Sequence, residues 1–205
     1  DESKIRVLPY GTELVDSAMV TGVRKSHNLK PEPRCGKVRI VCVAQVMPRK
    51  GQYHFVKAIA ESGIENDVEI TLVGIADEAY VQAIDSLGIE LNYEGPLSHT
   101  AALKLMREAD ITFLNSLEDG FGMVVMESLS VGTPVIVSKY AGASEVVGGL
   151  PFVSVVDPFE GIEIVKAIDA VYGLPVDDAF LTRVISWREY SNQLADYMNL
   201  VSDDS

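Results

Sequence analysis

The sequence is short of positive charge, of cysteine and histidine, and of any long apolar run, and each shortage removes a class of function. Its 205 residues hold 17 Lys and Arg against 30 Asp and Glu, a formal net charge of −13. Nucleic acid and anionic membranes need clustered cations to displace counterions, so neither is an expected partner. The three histidines, His27, His54 and His99, fall in separate segments without metal-ligand spacing, and no Asp-x-Asp occurs, so no metal is assigned. Of the two cysteines, Cys35 sits in a loop, while Cys42 lies inside an apolar run and reads as a buried free thiol. No segment approaches the ~18 unbroken apolar residues of a membrane span, so no integral membrane segment is expected. With 47% apolar residues the chain reads as a soluble globular protein with a real core. No signal peptide is visible at Asp1, and the start without Met reads as a fragment of something longer.

From residue 38 onward, short β-branched runs alternate with longer amphipathic segments, the sign of repeated βαβ units around a parallel sheet. Strands are predicted from Val38 to Ala44, Val68 to Gly74, Ile89 to Tyr93, Ala109 to Leu114, Pro134 to Ser138 and Pro151 to Val155. Helices are predicted from about Gly51 to Ser62, with Phe55, Val56, Ile59 and Ala60 facing the core, and from about Glu78 to Leu87. Three more follow: His99 to Glu108 behind an N-cap at Ser98, Met123 to Val131, and Phe159 to Tyr172. The expected fold class is thus α/β, a Rossmann-like open parallel sheet of about six strands with helices on both faces. Residues 1–37 form a lead-in with a proline-bearing loop, and 38–175 form the Rossmann-like domain. Residues 176–200 form a helical tail, with Trp187, Tyr190, Leu194 and Tyr197 on one apolar face, and 201–205 are expected to be disordered.

What is present in place of the missing chemistry is a run from Ser116 to Glu127 that sets acidic side chains on either side of a Gly120-Phe121-Gly122 turn. Two glycines let the backbone turn tightly and come close to a ligand. Because the turn separates a short buried strand from an apolar helix, its amides lie at a helix N-terminus, a place suited to an anion such as a diphosphate. Glu127, about one turn into the helix, can accept two hydrogen bonds from vicinal hydroxyls such as those of a ribose, or serve only as a favourable early-helix residue. Arg49-Lys50-Gly51 is a basic spot in the acidic chain, open to a phosphate or to bulk solvent. In open parallel sheets ligands bind outside the carboxyl ends of the strands. Gln45 to Gly51, Gly74 to Asp77, Glu94 to Leu97 and Asn115 to Gly122 all follow strands, so one crevice is expected to collect these loops.

In order, the chain carries Leu8-Pro9-Tyr10-Gly11, Arg49-Lys50-Gly51, Leu72-Val73-Gly74, Tyr93-Glu94-Gly95, Ala109-Asp110, the acidic Gly-Phe-Gly motif, Gly132-Thr133-Pro134-Val135-Ile136 and Ala141-Gly142-Ala143-Ser144-Glu145. With these landmarks it resembles the C-terminal, donor-binding domain of the family-4 (group 1) retaining glycosyltransferases, in which two Rossmann-like domains face each other across a cleft in the GT-B architecture. The resemblance implies that Lys50, with Arg49, contacts the diphosphate of a sugar nucleotide and that Glu127 holds the ribose hydroxyls. It also implies that the amides around Gly120, Phe121, Gly122 and Met123 contact phosphate and sugar, that Gly74 lies beside the site, and that Glu94-Gly95-Pro96-Leu97 runs along the nucleobase. The residue eight positions before Glu127 is Asp119 where the family has Glu, so Asp119, or its neighbour Glu118, is expected to reach the transferred sugar. The family often has Arg at the position of Gln45, which leaves the positive charge to Arg49 and Lys50.

The implied chemistry is metal-independent hexosyl transfer with retention, in which cations and amides stabilise the departing nucleoside diphosphate. No cofactor is expected beyond the nucleoside-diphosphate sugar as co-substrate, with UDP- and GDP-sugars in view. The acceptor would be a glycan, lipid or small molecule, and the setting polysaccharide or cell-envelope synthesis in the cytoplasm or at the inner face of the membrane. The acceptor-binding N-terminal domain would be the missing partner, and the chain alone is expected to bind donor without turnover. Three other readings stand beside this one: a non-hydrolysing sugar-nucleotide epimerase half, a non-catalytic sugar-nucleotide-binding module, and last a dinucleotide dehydrogenase. The last lacks a Gly-x-Gly-x-x-Gly after the first strand.

Overall fold

The computed structural model describes residues 36–174 and 191–196. Six strands, β1 (Val38–Val43), β2 (Val68–Val73), β3 (Leu91–Gly95), β4 (Ile111–Leu114), β5 (Val135–Ser138) and β6 (Val153–Val156), form one sheet in the order β3-β2-β1-β4-β5-β6. Every neighbouring pair is parallel. The helices are α1 (Gln52–Ser62), α2 (Glu78–Asp85), α3 (His99–Glu108), α4 (Met123–Ser130), α5 (Ala143–Val147) and α6 (Gly161–Val171). This is the Rossmann-like α/β sheet expected from the alternation.

Strand periodicity divides the core between the two faces of the sheet. Ile40 and Cys42 of β1, Ile70 and Leu72 of β2 and Ile111 and Phe113 of β4 join Phe55, Ile59, Ile84 and Ile168 of α1, α2 and α6 on one face. Val41, Leu114, Val135 and Val137 join Met106, Val125, Leu129 and Val147 of α3, α4 and α5 on the other. Phe55 and Phe113 stack at 3.8 Å with 8° between their planes, fixing α1 over β4. A fully buried Phe or Ile contributes roughly 1.5–3 kcal/mol, so these two layers hold the strands' carboxyl ends in place.

Local chemistry corrects several expected boundaries. The third strand begins at Leu91 rather than Ile89, because Gly88 turns left-handed after α2 and the chain needs two more residues to reach the sheet. Glu94 and Gly95 therefore belong to the end of β3, where the register steps from Leu72↔Tyr93 to Val73↔Gly95 and leaves Glu94 as the extra residue of a bulge. The sixth strand begins at Val153, two residues beyond Pro151, which has no N–H to give. In α1 the fourth buried apolar residue is Ala58, while Ala60 is only half-buried. In α3 the buried pair is Ala102 and Met106, with Leu103 and Leu105 partly covered. Residues 191–196 are helical, and the rest of the expected lead-in and tail, Cys35, Trp187, Tyr190 and Tyr197 among them, lies outside the described residues.

Candidate functional site

β1 to β3 are laid down in one direction across the sheet and β4 to β6 in the other, so the carboxyl ends of β1 and β4 part company at the centre. A cavity of about 260 Å³ opens there, lined by Val43, Ala44, Gln45, Arg49, Lys50, Leu114, Asp119, Gly122, Met123 and Val124. The two loops that form it approach to the limit that backbone allows. Gly51 sits at φ 65°, and a Cβ on it would lie 2.0 Å from the Asn115 carbonyl oxygen. Leu117 N–H donates to the Arg49 carbonyl at 2.8 Å, and the Asn115 side chain donates to the Gly51 carbonyl at 3.2 Å and to that of Pro158 at 3.4 Å.

This contact brings together two residues 69 positions apart. Lys50 Nζ lies 2.5 Å from Asp119 Oδ2, and both side chains are only 13% exposed. Either charge alone at that depth would be costly, by several kcal/mol, and each is neutralised by the other. Ser116, itself fully buried, donates to the same oxygen at 3.3 Å. Arg49, exposed at the cavity's lining, donates from its guanidinium to the carbonyl of Glu118 at 3.2 Å and meets no carboxylate among the described residues. Glu118 is exposed and outside the cavity lining.

The turn expected to present amides is built for that geometry. Gly122 adopts φ 87° as the N-cap of α4, with Cβ-sized space taken by Leu114 Cδ2 at 2.5 Å, and no side chain caps the helix. Among the described residues the N–H groups of Gly120, Gly122, Met123 and Val124 have no acceptor. Of these, Gly122, Met123 and Val124 line the cavity together with Lys50 and Asp119, at the positive end of the helix. The turn is buttressed from behind: Asp119 N–H donates to Tyr140 O at 3.2 Å, Ala143 N–H to Phe121 O at 2.8 Å, and Gly142 lies so close that a Cβ would be 2.4 Å from Gly120 O. The landmark from Ala141 to Glu145 is therefore the wall against which the turn is cast.

The remaining expected residues form two further groups outside the cavity lining. Gly74 N–H donates to Gly95 O at 2.9 Å, and Tyr93 hydroxyl donates to Gly74 O at 2.6 Å, which joins the ends of β2 and β3 beside the exposed Glu94, Pro96 and Leu97. β3 stands two strand spacings, roughly 10 Å, from β1, within the span of a nucleotide. Glu127 is the fifth residue of α4, whose first turn carries no acidic residue, so the early-helix dipole does not account for it. Its Oε1 lies 3.2 Å from His99 Nε2 at the start of α3.

Sequence reading placed Asn115 and Ser116 in the crevice loop without giving them a contact, and missed Gln52 and His99 as site residues. Gln52 is completely buried, and its amide donates to the Gln45 carbonyl at 2.8 Å, fixing the loop that carries the exposed Gln45. The signal for Gln52 and Asn115 was a polar residue next to an apolar run, which only burial shows to be structural. Cys42 is buried as expected, and burial pushes its thiol up to about 12.

Comparison with known proteins gives a consistent result. The family model described as glycosyl transferases group 1 matches residues 24–175. MMP alpha-(1->4)-mannosyltransferase of Mycolicibacterium hassiacum is 32% identical over 124 residues, 57% of this chain and 30% of that protein. A D-inositol 3-phosphate glycosyltransferase of Segniliparus rotundus is 29% identical over 79% of this chain and 36% of its own length. Among solved structures, sucrose-phosphate synthase of Thermosynechococcus elongatus superposes with a TM-score of 0.71 at 22% identity, covering 98% of this chain and 53% of that one. HepE of Anabaena, in complex with UDP and glucose, superposes at 0.67 with 23% identity over 80% and 48%. The chain thus spans about a third of these curated relatives and about half of these solved chains.

Proposed function

Because the chain belongs to the group 1 glycosyl transferases, we propose that the cavity between β1 and β4 binds a nucleoside-diphosphate sugar. On this reading the chain is the donor-binding half of a retaining, metal-independent hexosyltransferase. The observation that carries the reading is the convergence of Lys50, Asp119 and the acceptor-less amides of Gly122, Met123 and Val124 at the switch point of the sheet. Departure of a nucleoside diphosphate builds negative charge on its phosphate, and Lys50, Arg49 and the amides of Gly120, Gly122, Met123 and Val124 are preorganised donors for it. Asp119, not the exposed Glu118, takes the sugar hydroxyls, since its carboxylate lines the cavity. Glu127 takes the ribose hydroxyls, and the edge from Glu94 to Leu97 carries the base. HepE binds UDP and UDP-glucose on the same fold, which favours a uridine donor as the first probe.

A cavity of about 260 Å³ is smaller than the ~300–1,000 Å³ of a complete ligand pocket. A second, acceptor-binding domain facing the crevice would close it and supply the acceptor, so the isolated chain binds donor without turnover. The donor is a co-substrate, and no further cofactor takes part. No described helix is long and apolar enough to cross a membrane, and we place the reaction in the cytoplasm or at the inner face of the membrane. Calorimetry of the chain with UDP, GDP, ADP and their hexose conjugates tests the reading. Saturable binding of one nucleotide series supports it, and no binding to any of them overturns it.

A further inference from the structure

Resting on that donor-site reading, we propose that Lys50 and Asp119 form a partner-exchange pair that makes the site select sugar nucleotides against bare nucleoside diphosphates. Two observations carry this. Both charged groups are nearly buried and spend the ligand-free state on each other, at 2.5 Å. Both protein donors to Asp119, Lys50 Nζ and Ser116 Oγ, reach the same oxygen, Oδ2, while Oδ1 has no hydrogen bond among the described residues.

A ligand that brings only phosphates takes Lys50 away from Asp119 and puts a second anion beside it. The carboxylate is then left in a mostly buried site with only the Ser116 hydroxyl, a position that costs free energy through lost pairing and like-charge repulsion. A ligand that brings phosphates and hydroxyls together completes an exchange: phosphate oxygens replace Asp119 at Lys50, and sugar hydroxyls replace Lys50 at Asp119, with no charge stranded. Asp119 is then a specificity-determining residue in the ground state, acting against the product nucleotide as well as toward the sugar. A site that was only cationic would lack this discrimination, since a nucleoside diphosphate carries more negative charge than its sugar conjugate.

The test is calorimetry with UDP and UDP-glucose, or the corresponding pair of whichever base the wild-type chain binds, on the 205-residue chain and the variants Asp119→Asn, Lys50→Met and both together. Removing the carboxylate that phosphate must displace from Lys50, and with it a nearby like charge, is expected to tighten binding of the bare diphosphate about tenfold. The ratio of sugar-nucleotide to diphosphate affinity should fall by at least as much. In the Lys50→Met background only the like-charge part of the gain should remain, so the gain should shrink, because the exchange needs both partners; the double variant strands no charge and so guards against a misfolded single variant. Unchanged or weaker diphosphate binding in Asp119→Asn overturns the exchange while leaving the donor site intact, as does an equal gain with Lys50→Met in place. Absence of any nucleotide binding by the wild-type chain overturns the donor-site reading itself and the exchange with it.

Discussion

Replacing Gly51 by alanine should damage the site more than the fold, and the structure gives the size of both effects. Gly51 ends the short 3-10 turn Pro48–Lys50 and begins α1 at φ 65°, ψ 13°. A left-handed conformation costs a residue with a Cβ roughly 1–2 kcal/mol. The new Cβ would also lie 2.0 Å from the Asn115 carbonyl oxygen and 3.0 Å from its carbon, so the two loops must separate by more than about 1 Å to reach van der Waals contact. That motion breaks the Leu117 N–H to Arg49 O and Asn115 side chain to Gly51 O hydrogen bonds, each worth about 1 kcal/mol. The sum, about 3–4 kcal/mol, corresponds to a melting point lower by roughly 6–15 °C for a chain of this size. Lys50 and Asp119 ride on the separating loops, and a displacement of about 1 Å in a preorganised site costs on the order of 100-fold. Gly63→Ala is the control: it shares the left-handed backbone at φ 77° but has nothing within 4 Å of the added methyl group. It should lose only the conformational part of the stability and none of the binding. Thermal unfolding followed by circular dichroism, with nucleotide calorimetry on the same samples, makes the comparison. A Gly51→Ala protein that melts within ~2 °C of wild type and binds nucleotide unchanged would refute the close-approach argument.

Three further outcomes are expected. Glu127→Ala should weaken nucleoside-diphosphate binding by at least about tenfold, as loss of a hydrogen bond to a charged group does, while leaving inorganic pyrophosphate binding unchanged; calorimetry with both ligands separates a ribose contact from a phosphate one. Cys42, its thiol pushed up to about 12 by burial, should react with a thiol reagent at pH 8.5 on the order of a thousandfold slower than in urea, and equal rates would mean that the β1 core opens readily. Burial, with a smaller contribution from Lys57, holds His54 below its usual value, so the fold favours the neutral ring and the unfolded chain binds the proton first. Stability should therefore fall as pH drops below about 6.5 and on through the lowered folded value, and urea denaturation should show a shallower decline for His54→Gln; an unchanged decline assigns the pH dependence to other groups.

Much of the fold was legible because each layer leaves a periodic trace. Alternating β-branched runs and 3.6-spaced apolar stripes located every strand and all the helices among the described residues except the five-residue α5, since burial on two faces of a parallel sheet demands such runs. Boundaries slipped where the decision is made by neighbours: β3 starts where β2 has a free edge to pair with, and the bulge at Glu94 follows from that register. The Gly-Phe-Gly turn was legible as a set of amides at a helix N-terminus, because that is local geometry. The buttress from Ala141 to Ala143, the buried amide of Asn115 and the reach of His99 to Glu127 were not, because each depends on a residue about 20 or more positions away, and the burial of Gln52 was not because the packing around it decides it.

By itself, the sequence determined the α/β class, the family landmarks, the acidic balance, and the residues that were candidates for the site, for these depend on composition and short-range spacing. Only the tertiary structure decided how those residues are coupled. Lys50 and Asp119 are 69 positions apart, and they meet because the sheet order reverses between β1 and β4 and because Gly51 lets two backbones touch. A charge pair read from sequence is two separate ligands for a substrate. In the folded chain each is the other's partner, since two charges brought this far out of water are held there only together.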